Sequence, residues 1–427
     1  GIVERLNYLA DLGVTNLYLT PVFCAPSNHK YDATDFFNVD PMFGGNDALQ
    51  RLISALHARG MELTLDAVLN HVSDRHPWFV AARSADADKT GWFTLREDGS
   101  YDCWQGHHTL PELNLSCDAV RDVMYRKPDS LVQHWLARGV DHWRFDVAQD
   151  VGVQVASDVV EVVGRSFPHA SLLGELCGYA GNWLAEGKAP GFHGMMNYWF
   201  RTAILNWLQG KIDAVQMNAA VRDARQGYGL SGLLCSWNLL ATHDTPRLRS
   251  LVPDARKVRL AWLMQCTLPG IPLVYYGEEN GMHTGPDPDS RHPMRWNESD
   301  WDHDLRAWAK ALIALRQQHA ALQWGDVLVL GDRLPGNALV FLRHTGVPGE
   351  EALVVINAGE APLQAHLMLP YSHWYDGVAL QDALGLAPPT QVQAGTIALD
   401  VAACSGAVYL PSTPYRNYTF FKPRNRP

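Results

Sequence analysis

Apolar residues at Ile2, Val3, Leu6, Leu9 and Leu12 recur at helical spacing, and Gly13 ends the run. Residues 16–20 (NLYLT) follow as a short, mostly apolar stretch, the mark of a buried strand. The same couplet returns along the chain. Leu49, Leu52, Ile53 and Leu56 predict a helix that stops near Gly60, followed by a strand over 61–68. Leu131, Val132, Trp135 and Leu136 predict another that stops at Gly139, followed by a strand over 140–147. Further strands are predicted at 171–176, 195–199, 237–242 and 272–276, with helical stretches between them and one more helix over 304–322. Strands alternating with helices imply an α/β fold with a parallel sheet. Seven strands suit a doubly wound sheet; a (β/α)8 TIM barrel needs eight, and since the chain opens on a helix, its first strand would have to lie ahead of Gly1.

Two segments break the rhythm. Residues 72–118 are rich in Asp, Trp, His and Gly and too long for an ordinary connection, so they read as an inserted subdomain after the strand 61–68. Beyond 325, segments such as 326–330, 338–342 and 352–356 are short, rich in Val and Leu, and parted by Gly/Pro turns. They predict an antiparallel C-terminal β-sandwich over 326–427, set after an α/β domain over 1–325.

Composition narrows the partners. A net charge of −10 without basic runs makes nucleic acid and anionic membrane poor partners and leaves neutral ligands open. No apolar run approaches the ~20 residues of a membrane-spanning helix. Seven scattered Cys without a C-x-x-C pair argue against a disulfide framework or zinc site and lean toward a reducing, cytoplasmic setting. Cys103, His107, His108 and Cys117 match no standard zinc spacing. The match to G-x-G-x-x-G at Gly227–Gly232 follows a helix and precedes a strand, the reverse of a dinucleotide-binding turn.

Polar residues gather where the predicted strands end, which in a barrel is the catalytic face. Strand 61–68 runs into Asn70 and His71, with Asp66 and Val68 on one face by alternation. In WRFDVA, Arg144 and Asp146 share a face, and an adjacent cation would keep Asp146 ionised, as a nucleophile requires. Glu175 ends an apolar strand between two glycines, and apolar surroundings would raise its pKa, as a general acid requires. The strand at 237–242 ends abruptly in His243, Asp244, Thr245 and Pro246. Each has a plainer reading: a capping Asn with a surface His, a structural Arg–Asp pair, a helix-capping Glu, and a helix N-cap. Three carboxylates ending three strands in register favour one site over three coincidences.

These stretches resemble the four signature regions of the α-amylase family, glycoside hydrolase family 13: DAVLNH (66–71), WRFDVA (143–148), GEL (174–176) and THD (242–244), in order. LPELN (110–114) and YRKPDSLVQHWL (125–136) are similar to the neopullulanase, cyclomaltodextrinase and maltodextrin glucosidase group. The resemblance implies the TIM barrel with an inserted subdomain and a C-terminal β-sandwich. It implies a retaining hydrolase of α-1,4-linked glucose oligosaccharides, with some transfer to sugar acceptors. Asp146 would be the nucleophile, Glu175 the acid/base and Asp244 the transition-state carboxylate. Arg144, His71 and His243 would surround the reacting sugar, Tyr31 would stack on it, and Asp287 with Arg291 would hold the next ring. No cofactor is implied, and Gln149 and Asp150 stand where calcium-dependent relatives carry Lys-His, so no metal ligand is assigned. His142, where relatives have Gly, and the bulk of Trp78, Trp92 and Trp104 are expected to narrow the site toward short maltooligosaccharides. Two rivals stand beside this: a family transglycosidase acting on glucan, sucrose or trehalose, and a non-catalytic binding relative, which would be expected to lack the acids.

Overall fold

The computed structural model describes residues 1–84, 87–89, 91–184, 191–283, 289–370 and 374–412. It divides into two compact units, 1–176 with 182–196, and 177–181 with 197–427.

The first unit is built on a parallel sheet of five strands, Asn16–Tyr18, Glu62–Ala67, His142–Phe145, Leu172–Gly174 and Gly194–Met195, lying side by side in chain order. Parallel neighbours need crossovers, and the helices Gly45–His57, Leu131–Leu136 and Val153–Ser166 supply them. Register follows from burial. Strand Glu62–Ala67 is buried after its first residue, and Asp66 is paired with Arg144, so two charged groups meet inside the sheet. Gly174 is required where it stands: a Cβ there would come within 2.5 Å of Phe192 and 2.6 Å of Met195. The predicted strands survive in shorter form. One is corrected: 195–199 gives only Gly194–Met195, because Asn197 caps a helix over Tyr198–Leu208, its side chain accepting from the Phe200 N–H at 3.1 Å. The run is apolar in either state, and the cap decides it.

The inserted segment folds onto the strand ahead of it. His71 pairs with Glu112, Phe93 with Leu113 and Cys103 with Pro111 in single antiparallel bridges. Phe79, Trp92 and Phe93 are buried within it, so Trp92 belongs to a small core and not to a cleft wall as expected.

In the second unit Trp237–Leu239 pairs in parallel with Ile271–Leu273, among the helices Ala214–Cys235, Ala255–Thr267 and His303–Gln318. The glycines of the G-x-G-x-x-G match lie inside helix Ala214–Cys235, which breaks at Gly229. Six antiparallel strands follow in the order Asp326–Val329, Ala338–His344, Glu351–Asn357, Ser405–Pro411, Ala379–Asp382 and Thr390–Gln391. Leu363–Met368 and Thr396–Val401 form a separate pair whose inward residues Leu367, Ile397 and Leu399 join Leu353, Val355, Leu380 and Tyr409 in one core. Among the described residues no helix is long and apolar enough to cross a membrane.

Candidate active site

The sheet of the first unit ends in a knot of charge. The backbone ladder runs one step past the strands: Asp146 N–H donates to Ala67 O at 3.0 Å and Glu175 N–H to Phe145 O at 2.9 Å. Neighbouring strands therefore deliver Asp66, Arg144, Asp146 and Glu175 to one place. Arg144, with none of its side chain exposed, donates through Nη1 to both oxygens of Asp66 at 2.9 and 3.0 Å and to Asp146 Oδ1 at 2.9 Å. Its Nη2 lies 2.7 Å from Glu175 Oε1, a charge contact outside hydrogen-bond alignment. Tyr18 and Tyr31 bring their hydroxyls to Asp66 Oδ2 at 2.5 and 3.0 Å.

Three carboxyls thus share one guanidinium. The guanidinium is held firmly charged by the acids around it, although burial works against it. Asp146 moves the other way from the sequence expectation. Burial pushes its carboxyl well above the ordinary range, the nearby charges of Asp66 and Glu175 push further, and Arg144 only partly offsets them. Glu175 is corrected too: its carboxyl rests on Arg144 and on the Val147 N–H, 3.2 Å from Oε2, and not in an apolar pocket. Val147, the residue after Asp146, sits in the left-handed region at φ 38°, costly for a β-branched side chain by about 1–3 kcal/mol. That twist aims its N–H at Glu175.

His71 follows five residues after Asp66, just past the end of the same strand. It is 2% exposed, which excludes a surface histidine, and burial lowers its pKa to about 4, so the ring is neutral. Its Nε2 is buried without a protein partner. A buried, unpaired ring nitrogen is an incomplete hydrogen bond that a ligand hydroxyl can complete. Trp104 lies beside it, ring centres 5.6 Å apart.

In the second unit Asp244 caps no helix: the next one, Leu248–Leu251, has Arg247 at its cap. The Asp244 N–H instead donates to Thr242 Oγ1 at 3.2 Å, closing a tight turn. Its carboxylate lies between His243 Nε2 at 2.9 Å and Arg291 Nη2 at 2.9 Å, with 40% of the side chain exposed. Arg291, expected to reach the next sugar ring, is here turned onto Asp244 and donates through Nε to the His243 carbonyl at 3.0 Å. Its expected partner Asp287 lies outside the described residues. Sequence reasoning missed the anchor of this loop. Arg247 is fully buried, donates to Tyr276 O at 2.7 Å and Ser290 O at 3.1 Å, and pairs with Glu278. Burial pushes Glu278 up to about 7 against the pull of Arg247.

Also missed in the first unit were Tyr18 and the part played by Asp66. The signal was present: polar side chains, Tyr18 and Asp66, inside the strand stretches NLYLT and ELTLDA. His142 corrects the other way. It is the first residue of its strand, at the end opposite Asp146, where it contacts Glu62 Oε2 at 3.0 Å and accepts from the Ser171 N–H at 2.9 Å. It cannot narrow a site at the far end.

The family model described as alpha amylase, catalytic domain, matches residues 1–326. The chain belongs to the alpha-amylase family. Within that family it is similar to a cyclomaltodextrinase of Bacillus sp, 36% identical over 374 residues, 84% of this chain and 65% of the relative. It is similar as well to neopullulanase 2 of Thermoactinomyces vulgaris, 34% identical over 382 residues, 84% of this chain and 64% of the relative. The crystal structure of a debranching enzyme from Nostoc punctiforme superposes with a TM-score of 0.84 at 29% identity, covering 96% of this chain and 88% of that one. The chain spans just under two thirds of the length of these two curated relatives. Family membership gives the cluster around Arg144 its frame: the four stretches named from sequence supply Asp66, Asp146, Glu175 and Asp244.

Proposed function

We propose that the chain is a retaining α-glycoside hydrolase of α-1,4-linked glucose oligosaccharides, maltodextrins and cyclodextrins among them. The observation that carries this reading is the sharing of Arg144 by Asp146 and Glu175 at the ends of neighbouring strands. Cleavage of an acetal with retention needs a nucleophile and an acid close together, about 5–5.5 Å apart. Asp146 attacks the anomeric carbon while Glu175 protonates the departing glycosidic oxygen, and that C–O bond breaks. Water then attacks the same carbon, Glu175 takes its proton, and the Asp146 ester is released. Asp244 steadies the flattened sugar, with Tyr31, His71, Arg144, His243, Asp287 and Arg291 around it. The names of the relatives support an α-glucan substrate.

The rest of the reading goes with it. The parallel strands of 1–325 are read as strands of a barrel of the (β/α)8 type, with 72–118 inserted, and 326–427 as a β-sandwich. Activity should survive chelation, because Gln149 and Asp150 stand where calcium-dependent relatives carry Lys-His. Product analysis on maltotriose, cyclodextrin, pullulan, starch and sucrose tests the whole. New reducing ends from maltotriose and cyclodextrin are expected. Transfer products alone would assign a transglycosidase, and no turnover of any of the five would leave a binding protein.

A further inference from the structure

We infer that Trp104 and Asp150 form a latch that sets access to the ends of strands Glu62–Ala67 and His142–Phe145, and with it which α-glucans reach Asp146. The inference rests on the hydrolase reading and adds two residues that determine specificity.

The latch has a fixed side. Residues 103–111 close on themselves, Trp104 N–H donating to Leu110 O at 3.0 Å and Leu110 N–H to His107 O at 2.8 Å. This loop is fastened to the segment after the strand Glu62–Ala67: Val72 N–H donates to Pro111 O at 3.1 Å and Asp74 N–H to Thr109 O at 3.0 Å. Its tip carries Gln105 in the left-handed region, φ 47° and ψ 30°, a conformation that a non-glycine residue adopts at a cost. That turn presents Trp104, half-buried, with its ring between two others: His71 at 5.6 Å and His107 at 5.7 Å.

The other side is the turn that follows the nucleophile. Asp150 lies on helix Ala148–Val151, four residues after Asp146, and this helix starts at the strained Val147. Trp104 Nε1 donates to Asp150 Oδ2 at 3.1 Å. One hydrogen bond therefore spans the carboxyl ends of two adjacent strands, with the Trp104 ring beside His71. Without this bond, the indole beside His71 is tied to its own loop and no longer to the turn after Asp146. A short linear glucan that fits under the ring loses a wall, while a bulky ring or polymer gains room.

Two substitutions separate the bond from the ring. Trp104→Phe keeps an aromatic ring against His71 and removes the Nε1 donor; Asp150→Ala removes the acceptor. Affinities for maltotriose and for a cyclodextrin are measured by calorimetry in the Asp146→Asn background, so no turnover is needed, and kcat and KM on both are measured with the nucleophile intact. Each single change should shift the affinity ratio toward the cyclodextrin by about three- to tenfold, the worth of one partly exposed hydrogen bond to a charged group. The double variant should equal the singles, as a shared interaction demands. Unchanged ratios in both singles, or effects that add in the double variant, would overturn the latch. If Asp150→Ala disturbs its helix, Asp150→Asn keeps a neutral acceptor and should recover part of the original ratio; a ratio no closer to the original than that of Asp150→Ala would count against the latch. A chain that binds both sugars with the expected shifts yet hydrolyses neither would contradict the hydrolase reading and leave the latch standing.

Discussion

Asp146 has a side chain 9% exposed and shares one guanidinium with two other acids, whereas Asp244 leaves 40% of its side chain open between Arg291 and His243. Both are carboxylates that end parallel strands, and both touch an arginine. The difference is what each arginine does. Arg144 is a hub whose loss would strand three acids in the interior. Arg291 is about a third exposed and steers one carboxylate that water can also solvate. Buried charge couples protonation, position and stability, while half-exposed charge can be redirected toward a ligand at little cost to the fold.

Replacing the nucleophile should have the largest effect. Asp146→Asn keeps shape and hydrogen bonding but removes the attacking anion, and a loss of at least about 10³–10⁴-fold in kcat on maltotriose is expected with the melting temperature preserved. Near-normal turnover would remove Asp146 from its role. The two arginines come next. Arg144→Met should destabilise the chain by about 3–5 kcal/mol in denaturant unfolding, because it leaves buried acids without a cation. Arg291→Met should change stability by no more than ~1 kcal/mol. Equal effects from the two would erase the contrast between hub and steering residue.

The smallest effect is in the pH profile. Catalysis needs ionised Asp146, so kcat/KM rises with pH through its pKa. Because burial and the neighbouring acids raise that pKa, the acid limb should lie above the ~4 of an ordinary aspartate. Stability runs in the opposite sense. A folded pKa above the unfolded one gives a contribution that is complete below about pH 4 and lost as pH rises through the folded value. An acid limb at or below pH ~4 would mean that Arg144 outweighs burial, as the sequence alone suggested.

The periodic parts of the fold were the legible ones. All seven predicted parallel strands appear within a few residues of their expected places, since a buried strand bounded by Gly leaves a short apolar run. The strand at 195–199 is cut to Gly194–Met195 because the same apolar letters serve a helix once Asn197 caps it. In the site, residue types at strand ends were readable, but their electrostatics were not. The pair Arg144 and Asp146 suggested a cation serving one anion; Asp66 enters only through strand register, 78 residues away in sequence. His142 was misjudged for a related reason. Strand length decides which end of the sheet a residue occupies, and four residues put it at the end away from Asp146. Arg247 and Glu278 were invisible because nothing local marks two residues 31 apart as partners.

Trapping the covalent intermediate tests the central claim most directly. A fluorinated glucosyl fluoride, which forms the glycosyl-enzyme faster than water resolves it, is incubated with the chain, and the peptides are analysed by mass. One added glycosyl group on the peptide carrying Asp146, absent in Asp146→Asn, is the predicted result, with an α-configured first product from maltotriose. A label on another residue, or a β-configured first product, would contradict the account.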